Sequence, residues 1–304
     1  KSLDQYSSQR EGLIMFKEIA HSWLKQSADI SMIENLKKFD ITNSPEMIFL
    51  STKEILDLEK KYNVSLSNII MLSYEQEAKN TKIIREKDPS YNPYTHEEMV
   101  QSNETIKRLA NMFPEANDVL DLGCYEGTRT LDLYSEKNLY GIEFIEEFAN
   151  ESKNKGIQVY RGSMIDNFYK DQKYPNGRRF DIVSIVGEMI NFVGLDTDKL
   201  LSSAIKQVED KGALLVSCMH YIQSEKNEDE YVIWSFKEPN EKKWVLKEEK
   251  IPRAFLVISR KELLEKVEDI ARSQNCSLEL KGEEVIDNYY KNIPLSVYIF
   301  QKKL

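Results

Sequence analysis

"DVLDLGCYEGTRTLDL", residues 118–133, passes from an apolar run through two glycines into a charged, helix-like segment. Asp121 stands at the end of the apolar run, and Gly123 and Gly127 flank Cys124, Tyr125 and Glu126. Two glycines four apart let a backbone turn tightly and come close to a ligand, and in doubly wound sheets such a turn sits at the carboxyl end of a buried strand, where the ligand crevice lies.

Outward from this turn the chain alternates. Apolar runs at 118–123, 138–143, 157–161, 180–186 and 212–219 read as strands, and 127–136, 145–155 and 197–209 read as helices between them. Near-continuous apolar strands with helical connections predict a mostly parallel sheet covered on both faces. The last helix opens at "SRKELLEKVEDIARSQ", with Ser259 and Glu262 in capping-box positions. Two further strands, "CSLELKG" and "PLSVYIFQ", close the chain. The fold expected is α/β, a doubly wound, mostly parallel seven-stranded Rossmann-like sheet with a helical N-terminal appendage. A small antiparallel insertion precedes the last helix.

That insertion, residues 220–258, holds three strand-like runs at 231–236, 243–249 and 253–259. Residues 1–94 read as the helical region. In 11–28, Leu13, Phe16, Ile19, Ala20 and Trp23 recur at helical spacing. "SPEMIFLSTKEILDLEKKYN" (44–63) opens on Ser-Pro, a helix-start signal. "DPSYNPYT" (88–95), with two prolines, marks the boundary before the core at 95–304.

The second half of the ligand signal is Glu143, 22 residues beyond Asp121 and at the end of the next strand. A carboxylate there is placed to accept hydrogen bonds from two ribose hydroxyls. A dinucleotide turn wants G-x-G-x-x-G so that amides face a pyrophosphate; here the spacing is G-x-x-x-G and Glu126 stands beside it. That charge suits a cationic ligand better than a diphosphate, and disfavours a nicotinamide oxidoreductase.

"VLDLGCYEG", "LYGIEF", "VYRGSMIDN", "FDIVSIVGEMINFV" and "LLSSAIKQVEDKGALLVS", in this order, resemble the motif series of class I S-adenosylmethionine-dependent methyltransferases. "GEMINFV" and the strand insertion are loosely similar to small-molecule N-methyltransferases. The resemblance implies S-adenosyl-L-methionine as cofactor and S-adenosyl-L-homocysteine as its product. It places Asp121, Gly123, Cys124, Tyr125 and Gly127 at the methionine end, Glu143 and Phe144 at the ribose, Ser163 and Met164 at the adenine edge, and Gly187 with Glu188 beneath the sulfonium. Two positions depart from the pattern: Tyr125 replaces the middle glycine of D-x-G-x-G-x-G, and Ser163 stands where an acidic residue is common, with Asp166 close by.

Methyl transfer needs a base only when the nucleophile starts protonated. His220, just past the fifth core strand, is the first candidate base; the alternative is a surface loop residue. Glu188 is the second, or a clamp for a cationic amine, or a carboxylate favoured at a helix N-terminus. Tyr91 and Tyr94 read as lid residues, Tyr289 and Tyr290 as packing.

The expected reaction is transfer of a methyl group to a nitrogen or oxygen of a small organic acceptor. A protein, peptide or RNA acceptor docked by the N-terminal helices is the alternative. With 42 Lys and Arg against 51 Asp and Glu, the net charge of −9 gives nucleic acid no broad electrostatic grip, and DNA is not expected as a partner. A helix-turn-helix texture at 55–70 lacks both the turn glycine and the cations, residues 1–95 holding 13 basic and 14 acidic side chains. Three scattered cysteines and three histidines suggest neither a disulfide framework nor a metal centre. No apolar run reaches the roughly 18 residues of a membrane span, and "KSLDQYSSQREG" has no signal-peptide core. A cytoplasmic protein is the expectation.

Overall fold

The computed structural model describes residues 47–51, 56, 82–91, 97–165, 178–187, 189–219, 231–236, 252–290 and 293–303. The chain divides into two compact units, Lys1–Asn92 with Asp229–Leu256 and Pro93–Glu228 with Val257–Leu304.

In the first unit, β1 (Met47–Ser51) pairs antiparallel with β7 (Tyr231–Phe236), Met47 opposite Ser235 and Ser51 opposite Tyr231. β8 (Pro252–Val257) flanks β7 on the other side. Residues 47–51 are therefore a strand where the sequence reading has a helix. "MIFLS" is too short an apolar run for periodicity to choose, and a partner some 180 residues away decides it. The expected strand at 243–249 and the helix at 11–28 lie outside the described residues.

The second unit is built on a seven-stranded sheet in the order β4-β3-β2-β5-β6-β10-β9. Its strands are β2 (Asp118–Leu122), β3 (Asn138–Glu143), β4 (Gln158–Arg161), β5 (Phe180–Ile185), β6 (Val208–Met219), β9 (Ser277–Tyr290) and β10 (Ile293–Lys303). The pairs among β4, β3, β2, β5 and β6 are parallel, and β10 runs antiparallel to β6 and β9. Among these seven strands, the first three in the chain step outward from β2 toward one edge and β5 returns to its other side. The switch point falls between β2 and β5.

Helices α1 (Glu97–Ala110), α2 (Thr128–Leu133), α3 (Glu146–Asn154), the short α4 (Met189–Phe192), α5 (Thr197–Gln207) and α6 (Arg260–Ser273) complete this unit. β9 shows that both faces are covered, because successive side chains point to opposite faces. Glu284 pairs with Arg108 of α1, and a Cβ at Gly282 would touch Leu109, while the intervening Glu283 pairs with Arg260 of α6. Ser259 caps α6 as expected, its hydroxyl accepting from the Glu262 N–H at 3.1 Å.

The core is what the apolar runs demand: Leu120, Leu122, Ile142, Phe180, Ile182, Ile185 and Tyr298 are fully buried, each contributing roughly 1.5–3 kcal/mol by leaving water. β6 begins at Val208 and not at residue 212. Its first residues bulge: Phe180 faces Val208 and Ile182 faces Ala213, with Lys211 at φ +68°. In sequence the polar "EDK" of the bulge (209–211) falls across the end of the expected helix at 209 and the gap before the expected strand at 212.

Candidate functional site

The carboxyl ends of β2, β3 and β5 bring most of the sequence candidates together. After Leu122 the chain turns through Gly123 (φ +82°), Tyr125 (φ +52°) and Gly127 (φ +83°) into α2. All three lie in the left-handed region, which glycine reaches freely and a tyrosine does not. The turn is tied to the neighbouring strand: the N–H groups of Gly123 and Cys124 both donate to the Ile142 carbonyl, at 2.9 and 3.2 Å. Cys124 folds back onto β3 at Gly141, where any Cβ would collide with its Sγ. Burial pushes the Cys124 thiol well up, so it is a small packing residue and no nucleophile.

Tyr125, in place of the usual middle glycine, sends its ring onto Phe148 of α3, with centroids 3.8 Å apart. Its carbonyl accepts from Ser152 Oγ at 2.7 Å. Its N–H donates to Glu143 Oε2 at 3.0 Å, and the Ile145 N–H donates to Oε1 at 2.9 Å. Glu143 is only 2% exposed. Burial raises its pKa to about 7 against the pull of the Ile145, Tyr125 and Phe144 amides, and nearby Glu126 adds to the rise. Each carboxylate oxygen, having taken one amide, keeps acceptor capacity. β4 ends beside it: Gly162 N–H donates to the Glu143 carbonyl, and Ser163 Oγ accepts from the Ile165 N–H, forming the turn that carries Met164.

Asp121 is 4% exposed. Oδ2 accepts from Thr130 Oγ1 at 2.5 Å, one turn into α2, whereas Oδ1 is buried without a hydrogen bond among the described residues. Burial raises its pKa, opposed by Thr130, Arg129 and the nearby Ser184. Ser184, opposite Asp121 on β5, in turn accepts from Tyr134 Oη at 2.9 Å. Among the described residues no donor meets Oδ1 in hydrogen-bond geometry, and the Ser184 hydroxyl opposite it only helps to lower the pKa, so a well-aimed donor would stabilise the position.

Arg129 was missed in sequence, where "TRTLDL" reads as a solvated helix start. It is buried, its Nε donating to Asn103 Oδ1 at 2.8 Å and its Nη2 to Ser102 Oγ at 3.0 Å, both on α1. Its Nη1 lies under Gly187, where a Cβ would approach it to 2.5 Å. The polar residues on the α1 core face, Ser102, Asn103 and Thr105, are the sequence signal for such a partner. Met189, also unforeseen, fills the side-chain space of Gly123: a Cβ there would lie 2.9 Å from its Cε and 3.0 Å from its Sδ.

Gly187 follows β5 at φ +73°. His220, Glu188, Asp166 and Tyr94 lie outside the described residues. Tyr289 is buried and its hydroxyl meets Met99 Sδ of α1 at 3.0 Å, which is packing. A separate cleft opens at the opposite end of the strands, among Phe113, Pro114, Asp181, Lys211 and Gln301; none of the candidates lines it. Among the described residues no cluster of His, Cys, Asp and Glu could hold a metal ion, and no helix is long and apolar enough to cross a membrane.

No family model matches the chain, and no curated protein matches it in sequence. Among solved structures it is similar to the N-methyltransferase NodS from Bradyrhizobium japonicum WM9 in complex with S-adenosyl-L-homocysteine. Identity is 10%, covering 73% of this chain and 97% of that one, with a TM-score of 0.48. It is similar to an S-adenosylmethionine-dependent methyltransferase from Clostridium acetobutylicum at 12% identity, over 75% and 98% of the two chains, TM-score 0.46. The glycopeptide N-methyltransferase MtfA, complexed with S-adenosyl-L-methionine, is similar at 12% identity over 65% and 93%, TM-score 0.48. Likeness at this level carries no functional weight, and what the site can do follows from its own geometry.

Proposed function

We propose that the chain is an S-adenosyl-L-methionine-dependent methyltransferase, with residues 95–304 as its catalytic core and a small organic molecule as acceptor. One observation carries the reading: the buried Oδ1 of Asp121 at the switch point, which has no hydrogen bond among the described residues, with Glu143 at the end of the adjacent strand. A ligand that satisfies Oδ1 brings an N–H or O–H donor, and an ammonium does so with charge assistance. A dinucleotide brings a diphosphate, which Asp121 and Glu126 beside the turn disfavour.

The residues fit that cofactor. Asp121 would accept from its ammonium. Arg129 Nη1, which makes no hydrogen bond among the described residues, offers its carboxylate a donor. Glu143 would accept from the ribose hydroxyls with the capacity its two amide bonds leave. Bound there, the cofactor would supply an electrophilic methyl group on a sulfonium, with a neutral thioether as the leaving group. The chain's contribution is alignment and exclusion of water, from a turn held rigid by its bonds to β3 and α3. His220 would take the proton of a protonated nucleophile, with Glu188 as second candidate.

A nitrogen or oxygen nucleophile on a small acceptor is the reading that the "GEMINFV" resemblance supports. The net charge of −9 gives an RNA acceptor little to hold, which leaves a peptide as the rival outcome of an acceptor screen. The first test is a calorimetric titration of S-adenosyl-L-homocysteine into the wild type, Glu143→Ala and Asp121→Asn. Micromolar binding that weakens at least about tenfold in both variants is expected. A folded wild type that binds none overturns the reading, and NAD is titrated next.

A further inference from the structure

Two loops meet at the switch point, and each places a side chain in the space the other's glycine leaves empty. Met189, from the loop after β5, lies against Gly123 at the end of β2; Arg129, just after the β2 turn, lies against Gly187 at the end of β5. Four named groups of different character stand at these strand ends. Asp121, Arg129 and Glu143 are charged and buried, and Met189 is the apolar one, 8% exposed at the first position of α4. Its thioether is flexible at three bonds and polarizable, a group suited to lining an apolar contact of adjustable size.

We infer that Met189 sets the size of the alkyl group that the crevice accepts on the cofactor's sulfur. The inference rests on the function proposed above and assigns a specificity-determining residue to the same site. The charged groups match the ammonium, carboxylate and ribose hydroxyls, and Met189, packed on Gly123 at the switch point, is the apolar side chain among these four groups, so the alkyl on sulfur is assigned to it. Gly123 cannot yield in the other direction. Its backbone is fixed at φ +82° and bonded to Ile142, so the clearance is decided by the Met189 side chain.

A pocket wall of this kind discriminates one extra methylene by roughly 10- to 200-fold. The test measures dissociation constants for S-adenosyl-L-methionine and S-adenosyl-L-ethionine, which differ by that methylene, in the wild type, Met189→Leu and Met189→Ala. The expected ethionine-to-methionine ratio is about tenfold or more in the wild type and in Met189→Leu, and within about threefold in Met189→Ala. Met189→Val takes the place of the alanine variant if that one does not fold. A ratio equal in wild type and the shortened variant, or near one throughout, overturns the inference while the cofactor assignment stands. A wild type that binds S-adenosyl-L-homocysteine no better than adenosine overturns the function itself and this inference with it.

Discussion

The central strands of the sheet have charged groups at both ends, on β2 and before β5 at the amino end and on β2 and β3 at the carboxyl end, and the two ends treat charge in opposite ways. At the amino end, Asp118 pairs with Arg178 at 2.5 Å, Arg179 with Asp210 at 3.4 Å, and Asp181 accepts from the Asn117 and Asp118 N–H groups. Partial burial pushes the Asp118 carboxyl up, but its bonds to Arg178 and Asn138 outweigh this and hold it below the ordinary range. At the carboxyl end burial wins: Asp121 and Glu143 are both pushed up, and one oxygen of Asp121 has no hydrogen bond among the described residues. The amino end is a finished electrostatic structure open to water. The carboxyl end is left one hydrogen bond short among the described residues, and natural proteins tolerate such incompleteness chiefly where it serves function.

The contrast breaks most readily at the turn. Gly127→Ala adds a Cβ at φ +83°, 2.6 Å from Ile157 Cδ1, 2.8 Å from Ser152 Oγ and 3.2 Å from the Ser152 Cα. The backbone strain and the overpacking against α3 together cost about 3 kcal/mol. Denaturant unfolding of the variant should show that loss. A loss under about 1 kcal/mol would mean that the turn adapts and is not the rigid part of the site.

Glu143 sharpens the comparison through pH. The unfolded chain gives up this proton near 4.5 and the folded chain near 7, so between those values the folded state holds the extra proton. The stability associated with the neutral carboxyl is complete below 4.5 and is lost as pH rises through about 7. Glu143→Gln removes that dependence. Its stability relative to wild type should climb by about 3 kcal/mol between pH 4 and pH 8. Ligand affinity runs the other way: ribose hydroxyls donate to the ionised form, so wild-type binding of S-adenosyl-L-homocysteine should weaken as pH falls below 7. A flat pH profile in both measurements would show the carboxylate ionised throughout.

Asp121→Asn separates stability from binding. Asparagine keeps an acceptor for Thr130 and removes a buried charge, so unfolding free energy should hold or rise, while a ligand ammonium loses about 2 kcal/mol of charge-assisted hydrogen bonding. Equal binding by both proteins would place the ligand's cation elsewhere.

How far these ends could be read in the sequence follows the same line. The strands were legible because both faces of a parallel sheet must be apolar, and 138–143 and 180–185 fall where the runs predict. Asp121, Glu143 and the glycines were legible because local backbone geometry and strand ends confine them. Met189 and Arg129 were not, since each is defined by a glycine far away in the chain, 123 for one and 187 for the other. The strand at 47–51 escaped for a related reason, its partner lying near residue 233. What depended on one segment could be read; what depended on two loops meeting could not.

The smallest effect is expected where the charges are already paired. Arg178→Gln removes both the Asp118 pair and the guanidinium 4.5 Å from the Tyr140 ring. Arg178 is 41% exposed, so water and salt screen the pair and the loss should stay below about 1 kcal/mol, shrinking further in high salt. Asp118 is not stranded, because Asn138 Nδ2 still donates to its Oδ1 at 2.9 Å and water reaches it. A carboxylate that keeps a partner and solvent loses little when one cation goes. Asp121, enclosed and one hydrogen bond short, has no such reserve, and an unfolding loss for Arg178→Gln as large as that for Gly127→Ala would erase the distinction between the two ends.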